Sequence, residues 1–431
     1  MQISCNQRTY GLSIFRKYLC LEALIWIYLG CWNATVPLII VQRGNLLELA
    51  TYETGLALAA VISILFLASR VEVMRRSTAL RTGCIAIALT GILRYVSVSA
   101  SYSIEALLII DILAVAAFGV VQSLFGVYPA ETVKKVRIEH AFRIRRIIVT
   151  ISRVIGPLLA GVFIGLFSPQ ASLLFAAIVG VFAMGLAFVL PHSVKSDSTQ
   201  IKSPAQRVRE MFLGIRLKLI LPPERFLTVA GFMLSLAVTA TVPMLVPIQI
   251  HTHNLAESSV GLFNAIFAGG AIGGLLFLSP LVARRHNQRN KYIGLWTLLT
   301  ASLVTAALSV EVWQLAPCLF IAGASSASLS LIGMDKRTVS VPSGVRIRLM
   351  AATLIVGQLA NSASYMMMGT TMMQFGTHGL LLVYCAIFLF VLFHAALSKS
   401  IWFFLEDAAD SELFYKNNHP GLESIMVSVA K

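Results

Sequence analysis

The sequence predicts an all-α polytopic membrane protein of about twelve transmembrane helices, arranged as two six-helix bundles. Three observations predict it. The chain is 57% hydrophobic and only 12% charged, with a mean hydropathy of +0.81, where a water-soluble protein carries roughly 25% charged residues. Apolar runs of membrane-crossing length recur along it, and its basic residues gather in every second loop. With so little charge the chain has too few polar side chains to face water over its surface, so most of it is expected to face lipid.

Crossing the hydrocarbon core takes about 20 apolar residues. Such runs fall near 18–40, 51–69, 82–100, 104–128, 147–167 and 171–190, then near 226–247, 258–280, 292–310, 312–334, 349–369 and 378–398. Lysine and arginine mark the cytoplasmic side of a membrane protein. Here 31 of the 34 lie in the N-terminal segment, the C-terminal tail and the loops at 70–81, 129–146, 191–225, 281–291 and 335–348. Of the other three, Arg43 lies in an alternate loop, and Arg94 and Arg153 lie inside spans. The bias predicts an even number of spans with both termini cytoplasmic. The first run is too long for the core of a cleaved signal peptide and is followed by no convincing cleavage site.

The longest polar interruption, 191–225, separates an N-terminal bundle at 1–190 from a C-terminal bundle at 226–398, with a tail at 399–431. Within the linker, Ala205 to Leu219 reads as a basic amphipathic helix. Val208, Met211, Phe212 and Ile215 stand opposite Arg207, Arg209, Arg216 and Lys218, a pattern suited to an anionic inner leaflet or to a plain solvated linker. The halves repeat weakly. Ser69-Arg70 with Arg75-Arg76 follows span two, and Ala283-Arg284 with Arg285 and Arg289 follows span eight. Arg143-Ile144-Arg145 enters span five, and Arg346-Ile347-Arg348 enters span eleven. Parallel six-helix repeats are the architecture of one large transporter class.

Two motifs carry a resemblance. After span two stands Leu67-Ala68-Ser69-Arg70 followed by Arg75-Arg76, with Leu281-Val282-Ala283-Arg284 as its second copy; span five carries Ser152-x-x-x-Gly156-Pro157-x-x-Ala160-Gly161. On these residues, and in topology over nearly its whole length, the chain resembles the major facilitator superfamily. The first motif is similar to the family's G-x-L-A-D-R-x-G-R-R loop, with serine or alanine where the family has an acid that helps latch the cytoplasmic side. The basic residues Arg70, Arg75, Arg76, Arg284 and Arg285 either keep part of that latch or serve topology alone. The second is similar to the antiporter signature G-x-x-x-G-P-x-x-G-G, with two glycines replaced by other small residues. Small residues let helices approach closely, and proline removes a backbone bond and bends the helix. In the family this signature goes with exporters that exchange substrate for protons; packing alone also uses Gly-Pro.

An ionisable residue inside a span is costly and a functional candidate by default. Asp111 in span four and Arg94 in span three lie equally far from the turn that joins them, which places them at one depth. They read as a proton-responsive pair, a static pair, or two side chains snorkelling outward. Arg153, six residues into span five, reads as a ligand for an anionic group, a partner for an acid on span four, or a snorkelling cation. Glu22 and His394, near span ends, are expected at the interface. The resemblance implies a central cavity lined mainly by spans one, four, seven and ten. These offer Asn33 and Thr35, Asp111 and Gln122, Thr239 and Thr241, and Ser325, Ser326 and Ser328; Gln358 and Asn361 of span eleven could join them. Such a lining, mostly apolar with a few hydrogen-bonding groups, suits an amphipathic solute. Met366, Met367, Met368, Met372 and Met373 read as lipid-facing packing or as an adaptable binding surface. Gly269, Gly270, Gly273 and Gly274 read as tight helix packing.

The chain has no G-x-x-x-x-G-K-[ST] phosphate loop, no H-E-x-x-H and no CxxC among its six cysteines, so neither ATP hydrolysis, a metal site nor a disulfide framework is indicated. The net charge of +15 is spread between apolar runs, not gathered in a nucleic-acid patch. The expected protein is therefore not an enzyme and carries no cofactor or metal. It is a monomeric secondary transporter, proton-coupled, exporting a small molecule or small peptide (a drug, a siderophore or a peptide antibiotic) from a bacterial inner membrane. The alternatives are an importer of the same fold and a non-transporting receptor or immunity protein.

Overall fold

A computed structural model describes residues 3–66, 76–125, 138–190, 204–253, 255–278, 281–282, 286–309, 311–332 and 343–406, and every regular element among them is helical. Eleven helical segments there are long and apolar enough to cross a membrane. The last of these, Ala352–Leu397, has 46 residues and breaks at Gly376, where φ is 59° and ψ is −150°. No L side chain adopts that conformation readily, so the chain reverses there and the segment makes two crossings. Twelve spans result, close to the apolar runs.

The chain divides into two compact units, residues 1–202 with 246–265, and residues 203–245 with 266–431. The first holds α1 (Ile3–Arg43), α2 (Leu46–Phe66), α3 (Arg76–Ser99), α4 (Ile104–Phe125), α5 (Ile138–Leu166) and α6 (Pro169–Val189). α1 packs against α5 and α6, α3 against α4 and α6, and α2 against α4. Leu89, Leu93, Ile109, Leu113, Phe182 and Val189 are half or more exposed, spaced in rows along their helices. That pattern fits lipid as the solvent. Polar side chains turn inward instead. Thr35 Oγ1 meets Ser172 Oγ at 2.8 Å across α1 and α6, and the Tyr18 hydroxyl donates to the Phe125 carbonyl at 2.8 Å. Two cations satisfy the orphan carbonyls that end a helix. Arg43 donates to Val98 O at 2.7 Å, closing α3, and Arg81 donates to the carbonyls of Ala187, Phe188 and Leu190 at 3.0–3.3 Å, closing α6.

The second unit begins with α7 (Pro204–Ile220) and α8 (Pro222–Val238). Span seven continues through a π turn at Thr241–Leu245 into α9 (Val246–Thr252), whose residues count with the first unit, around Pro243 and Pro247, which lack the N–H a regular helix needs. α10 (Ser259–Gly273), which belongs to the second unit only from residue 266, α11 (Gln288–Leu308), α12 (Val312–Leu331), α13 (Ser343–Leu397) and α14 (Lys399–Glu406) follow. Gly270 and Gly274 meet the backbone of Phe320 and Ala324, the close approach their spacing predicts.

One expectation is corrected in this unit. The linker helix forms, but Lys218 is buried, 3.3 Å from Glu224 and 3.2 Å from Thr228, while Phe212 and Leu219 are exposed. The helix docks on α8 and α13, and an internal acid draws Lys218 inward. The His394 ring stacks on Phe226 at 4.7 Å. At the start of the tail Trp402 and Phe404 are buried, and the Trp402 indole N–H donates to Ala395 O at 2.9 Å. Glu406 accepts the Gln288 backbone N–H at 2.8 Å, which satisfies a donor at the start of α11.

Candidate functional site

Among the described residues of the first unit, two clusters of ionisable groups stand inside the bundle. In the first, four helices meet around one ion pair. Arg94 Nε donates to Asp111 Oδ1 at 2.6 Å, and its Nη2 approaches the same oxygen. The Tyr52 hydroxyl donates to Asp111 Oδ2. Arg94 Nη1 donates to the Tyr28 hydroxyl at 2.8 Å. The guanidinium lies 4.1 Å from the Trp32 ring centroid and 5.6 Å from that of Tyr28, within cation–π reach. Asp111 and Arg94 are 0% and 1% exposed. The equal-depth argument thus ends in a direct contact, and snorkelling is set aside. Both charges are compensated inside the bundle, as burial requires. The rings of Tyr28, Tyr52 and Trp32 come from α1 and α2, helices that loop distance gave no reason to connect with Arg94.

In the second cluster, Arg145 makes a two-pronged contact with Glu22, at 2.6 to 3.0 Å. Glu22 is fully buried, so its interfacial placement is corrected: a charged partner on α5 reaches it inside the bundle. Burial pushes the Arg145 guanidinium down, but the Glu22 hydrogen bonds and charge outweigh this and leave its pKa raised. Two turns further along α5, Arg153 lies 3.9 Å from the Trp26 ring centroid. Its side chain is exposed, and no carboxylate of a described residue lies within salt-bridge distance. Asp111 is taken by Arg94, so an acid on span four is not its partner.

The span-five motif lies along helix contacts. A Cβ on Gly156 would stand 2.8 Å from Ile27 O and 2.9 Å from the Gly30 Cα, and one on Gly30 would stand 2.6 Å from Pro157 Cδ. Gly161 meets Ser258 O and Gly261 Cα in the same way, at 2.7 and 2.9 Å. Ser152 donates to its own helix at Ile148 O, 2.8 Å, and Ala160 is buried.

The cavity candidates separate. Asn33 and Gln122 are exposed. Thr35 is spent on Ser172, which makes it a helix contact. In the second unit Thr239 Oγ1 donates to Asn361 Oδ1 at 2.8 Å, and Asn361 donates to Gln358 at 3.2 Å, one small polar group from spans seven and eleven. Thr241 is buried 3.2 Å from the Tyr384 hydroxyl. Ser325 is buried without a hydrogen-bond partner among the described residues, and Ser328 bonds Ala324 O at 2.9 Å. Ser69, Arg70, Arg75, Arg284 and Arg285, and the side chain of Arg76, lie outside the described residues. Among the described residues no group of three or more His, Cys, Asp or Glu could hold a metal ion.

The sequence profile of the Major Facilitator Superfamily matches residues 20–365. No curated protein sequence matches the chain. Among solved structures, a mutant of the nucleoside transporter NupG is 14% identical with a TM-score of 0.73, covering 90% of this chain and 100% of its own. A bacterial homologue of the iron transporter ferroportin, inward-facing, is 16% identical with a TM-score of 0.69, covering 89% and 99%. A D-xylose–proton symporter is 11% identical with a TM-score of 0.68, covering 94% and 99%. At these identities the likeness is one of fold.

Proposed function

The chain belongs to the major facilitator superfamily, whose members carry small molecules across membranes, and from that premise we propose that it is a proton-coupled exporter of a small amphipathic compound. It works by alternating access in a bacterial inner membrane, as a monomer with both termini cytoplasmic and with two six-helix bundles as its moving parts. The cargo is a drug-like molecule, a siderophore or a peptide antibiotic.

The observation that carries the export reading is the span-five seam. Ser152, Gly156, Pro157, Ala160 and Gly161 form the antiporter-like pattern, and Gly156 and Gly161 bring helix backbones into direct contact. Such a seam has few side chains to interlock, and its proline leaves a backbone carbonyl free, so it yields to small shifts.

Coupling is assigned to Asp111 and Arg94. A proton on Asp111 cancels its charge and leaves Arg94 with only the Tyr28 hydroxyl and two aromatic faces. The junction of α1 to α4 is then weakened, and release of the proton to the other side restores the pair and resets it. Removing one member of a buried pair costs about 3–5 kcal/mol, enough to bias a two-state equilibrium heavily. Arg153, exposed and without a carboxylate partner among the described residues, takes the polar or anionic end of the cargo. Asn33, Gln122, Thr239 and Asn361 supply further hydrogen bonds.

The test is accumulation of amphipathic dyes and antibiotics in cells expressing wild type or Asp111→Asn at equal membrane levels, with and without an uncoupler. Lower accumulation in wild type, abolished by both the uncoupler and the substitution, is the expected result. Export that Asp111→Asn leaves intact removes Asp111 from coupling. Accumulation above that of control cells replaces export with import.

A further inference from the structure

Among the described residues, Arg153 is a cation without a counter-charge at membrane depth. The described charged groups that act on it are Glu22 and Arg145, and those two already hold each other in the two-pronged contact. Arg153 lies about 9 Å along span five from Ile147, where an unpaired charge is costly. Its side chain is nonetheless accessible, and helix geometry fixes the side on which it is open. Ile151 and Ile155 are exposed and belong to the lipid-facing row of α5. Arg153 stands two residues from each, on the opposite side of a helix with 3.6 residues per turn. Its guanidinium lies 3.9 Å from the Trp26 ring centroid, and Trp26 packs edge-on to Phe118 of α4, the two centroids 5.5 Å apart. Phe118 follows the exposed Ile109 by two and a half turns, so it too turns away from the exposed row of its helix. α1 has no such row: between residues 21 and 40, Asn33 alone is exposed, two turns beyond Trp26. Gln122, also exposed, is one turn beyond Phe118. Three helices of the first unit thus present a cation, two partly exposed rings and two amides on faces that are not the lipid-facing ones.

We infer that Arg153, Trp26 and Phe118 form a recognition site for an aromatic carboxylate, an organic anion with a flat apolar body. A guanidinium directs its N–H donors within its plane and offers its faces for stacking. With one face on Trp26, the in-plane fork of Arg153 stays free to donate to both oxygens of a carboxylate. The partly exposed rings of Trp26 and Phe118 then meet the ring of the ligand in the offset or edge-on contact that aromatic pairs prefer. Asn33 and Gln122, a turn or two away, serve hydroxyl or amide substituents. A phospholipid phosphate offers oxygens of the same kind, but it would have to reach Arg153 from the side opposite the lipid-facing row. The inference narrows the proposed cargo from an amphipathic compound to an aromatic anion. That this anion is the cargo rests on the transporter reading; that the site binds it does not.

Equilibrium dialysis of the purified full-length chain in uncharged detergent at neutral pH, with naphthoate, naphthamide and decahydronaphthoate as probes, tests this. Naphthamide keeps the shape of naphthoate without its charge, and decahydronaphthoate keeps the charge without the aromatic ring. Wild type is expected to bind naphthoate saturably, at least tenfold tighter than the amide and at least threefold tighter than the saturated acid. Arg153→Gln should lose naphthoate binding tenfold or more, bind acid and amide alike, and melt as wild type does. Arg16→Gln removes an exposed cation elsewhere on α1 and should leave naphthoate binding unchanged, which separates the site from general attraction to a basic chain. Equal affinity of wild type for naphthoate and naphthamide, a comparison that needs no variant, overturns the anion site. So does naphthoate binding that Arg153→Gln retains. Equal affinity for naphthoate and decahydronaphthoate overturns the aromatic class. Phosphatidylglycerol that co-purifies with wild type but not with Arg153→Gln, where neither binds naphthoate, gives the cation to lipid and overturns the proposal. Flux is read separately in cells. A chain that binds naphthoate but moves no compound keeps this site and loses the transporter reading. Export that persists in Arg153→Gln, with naphthoate binding gone, overturns the site's part in the cargo path.

Discussion

Arg94 spends its hydrogen-bonding fork and its flat face on different neighbours, which separates what each substitution removes. Tyr52→Phe deletes a bond to a charged group while the ion pair persists. It is expected to lower stability by about 1.5–3 kcal/mol, read as an earlier thermal transition of the purified protein in detergent. A transition unchanged from wild type would mean that the phenol contributes nothing. Arg94→Lys keeps the charge but loses the fork and the stacking on Trp32, so it should melt earlier still and not be rescued by alkaline buffer. Nearby, Glu22 and Arg145 show why a buried acid is easily misread from its neighbours in the chain. Glu22 follows polar and basic residues near the start of a span, which suggests an interface. Its partner stands 123 residues away and becomes visible only when α1 and α5 are packed together.

Helix seams and reversals depend on glycine for different reasons. At Gly156 the limit is space: an added methyl group meets the Ile27 carbonyl and the Gly30 Cα, both backbone, so α1 and α5 must part. Gly156→Ala is expected to cost about 1–3 kcal/mol and to slow transport more than it lowers expression; unaltered melting and flux would remove the seam from the mechanism. At Gly376 the limit is torsion, since a Cβ there meets nothing within 4 Å but φ is 59°. Gly376→Ala should destabilise by about 1–3 kcal/mol without changing any contact. Gly376→Asn should cost as much, because ψ is −150°, outside the left-handed helical region that asparagine tolerates. Markedly different melting of the two variants would assign the loss to something other than the backbone. The linker helix makes a related point. Its helical period was legible, but which side docks was not, because an internal acid outweighed the apolar stripe in orienting Lys218.

For the chain as a whole, the basic-loop bias predicts that the turn at Tyr102 and Ser103 faces outward and the turn at His286 and Asn287 faces the cytoplasm. Single cysteines placed at Tyr102 and at Asn287, in a background without the native cysteines, test this in intact cells. A membrane-impermeant maleimide should label the first and spare the second, and the reverse pattern would invert the proposed topology. The span count, the helix boundaries to within a few residues, the small-residue motifs and the meeting of Arg94 with Asp111 were all legible in the order of residues. Hydrophobic length and short-range geometry decide those features, and both are local. Packing decided the rest. It brought Tyr28, Tyr52 and Trp32 to the ion pair, held Glu22 with Arg145, set Thr35 against Ser172, and buried Trp402 and Phe404. Those outcomes depend on which helix faces which, and at what rotation. A chain apolar on nearly every face gives no amphipathic stripe to announce either, so contacts between residues distant in sequence had to settle them.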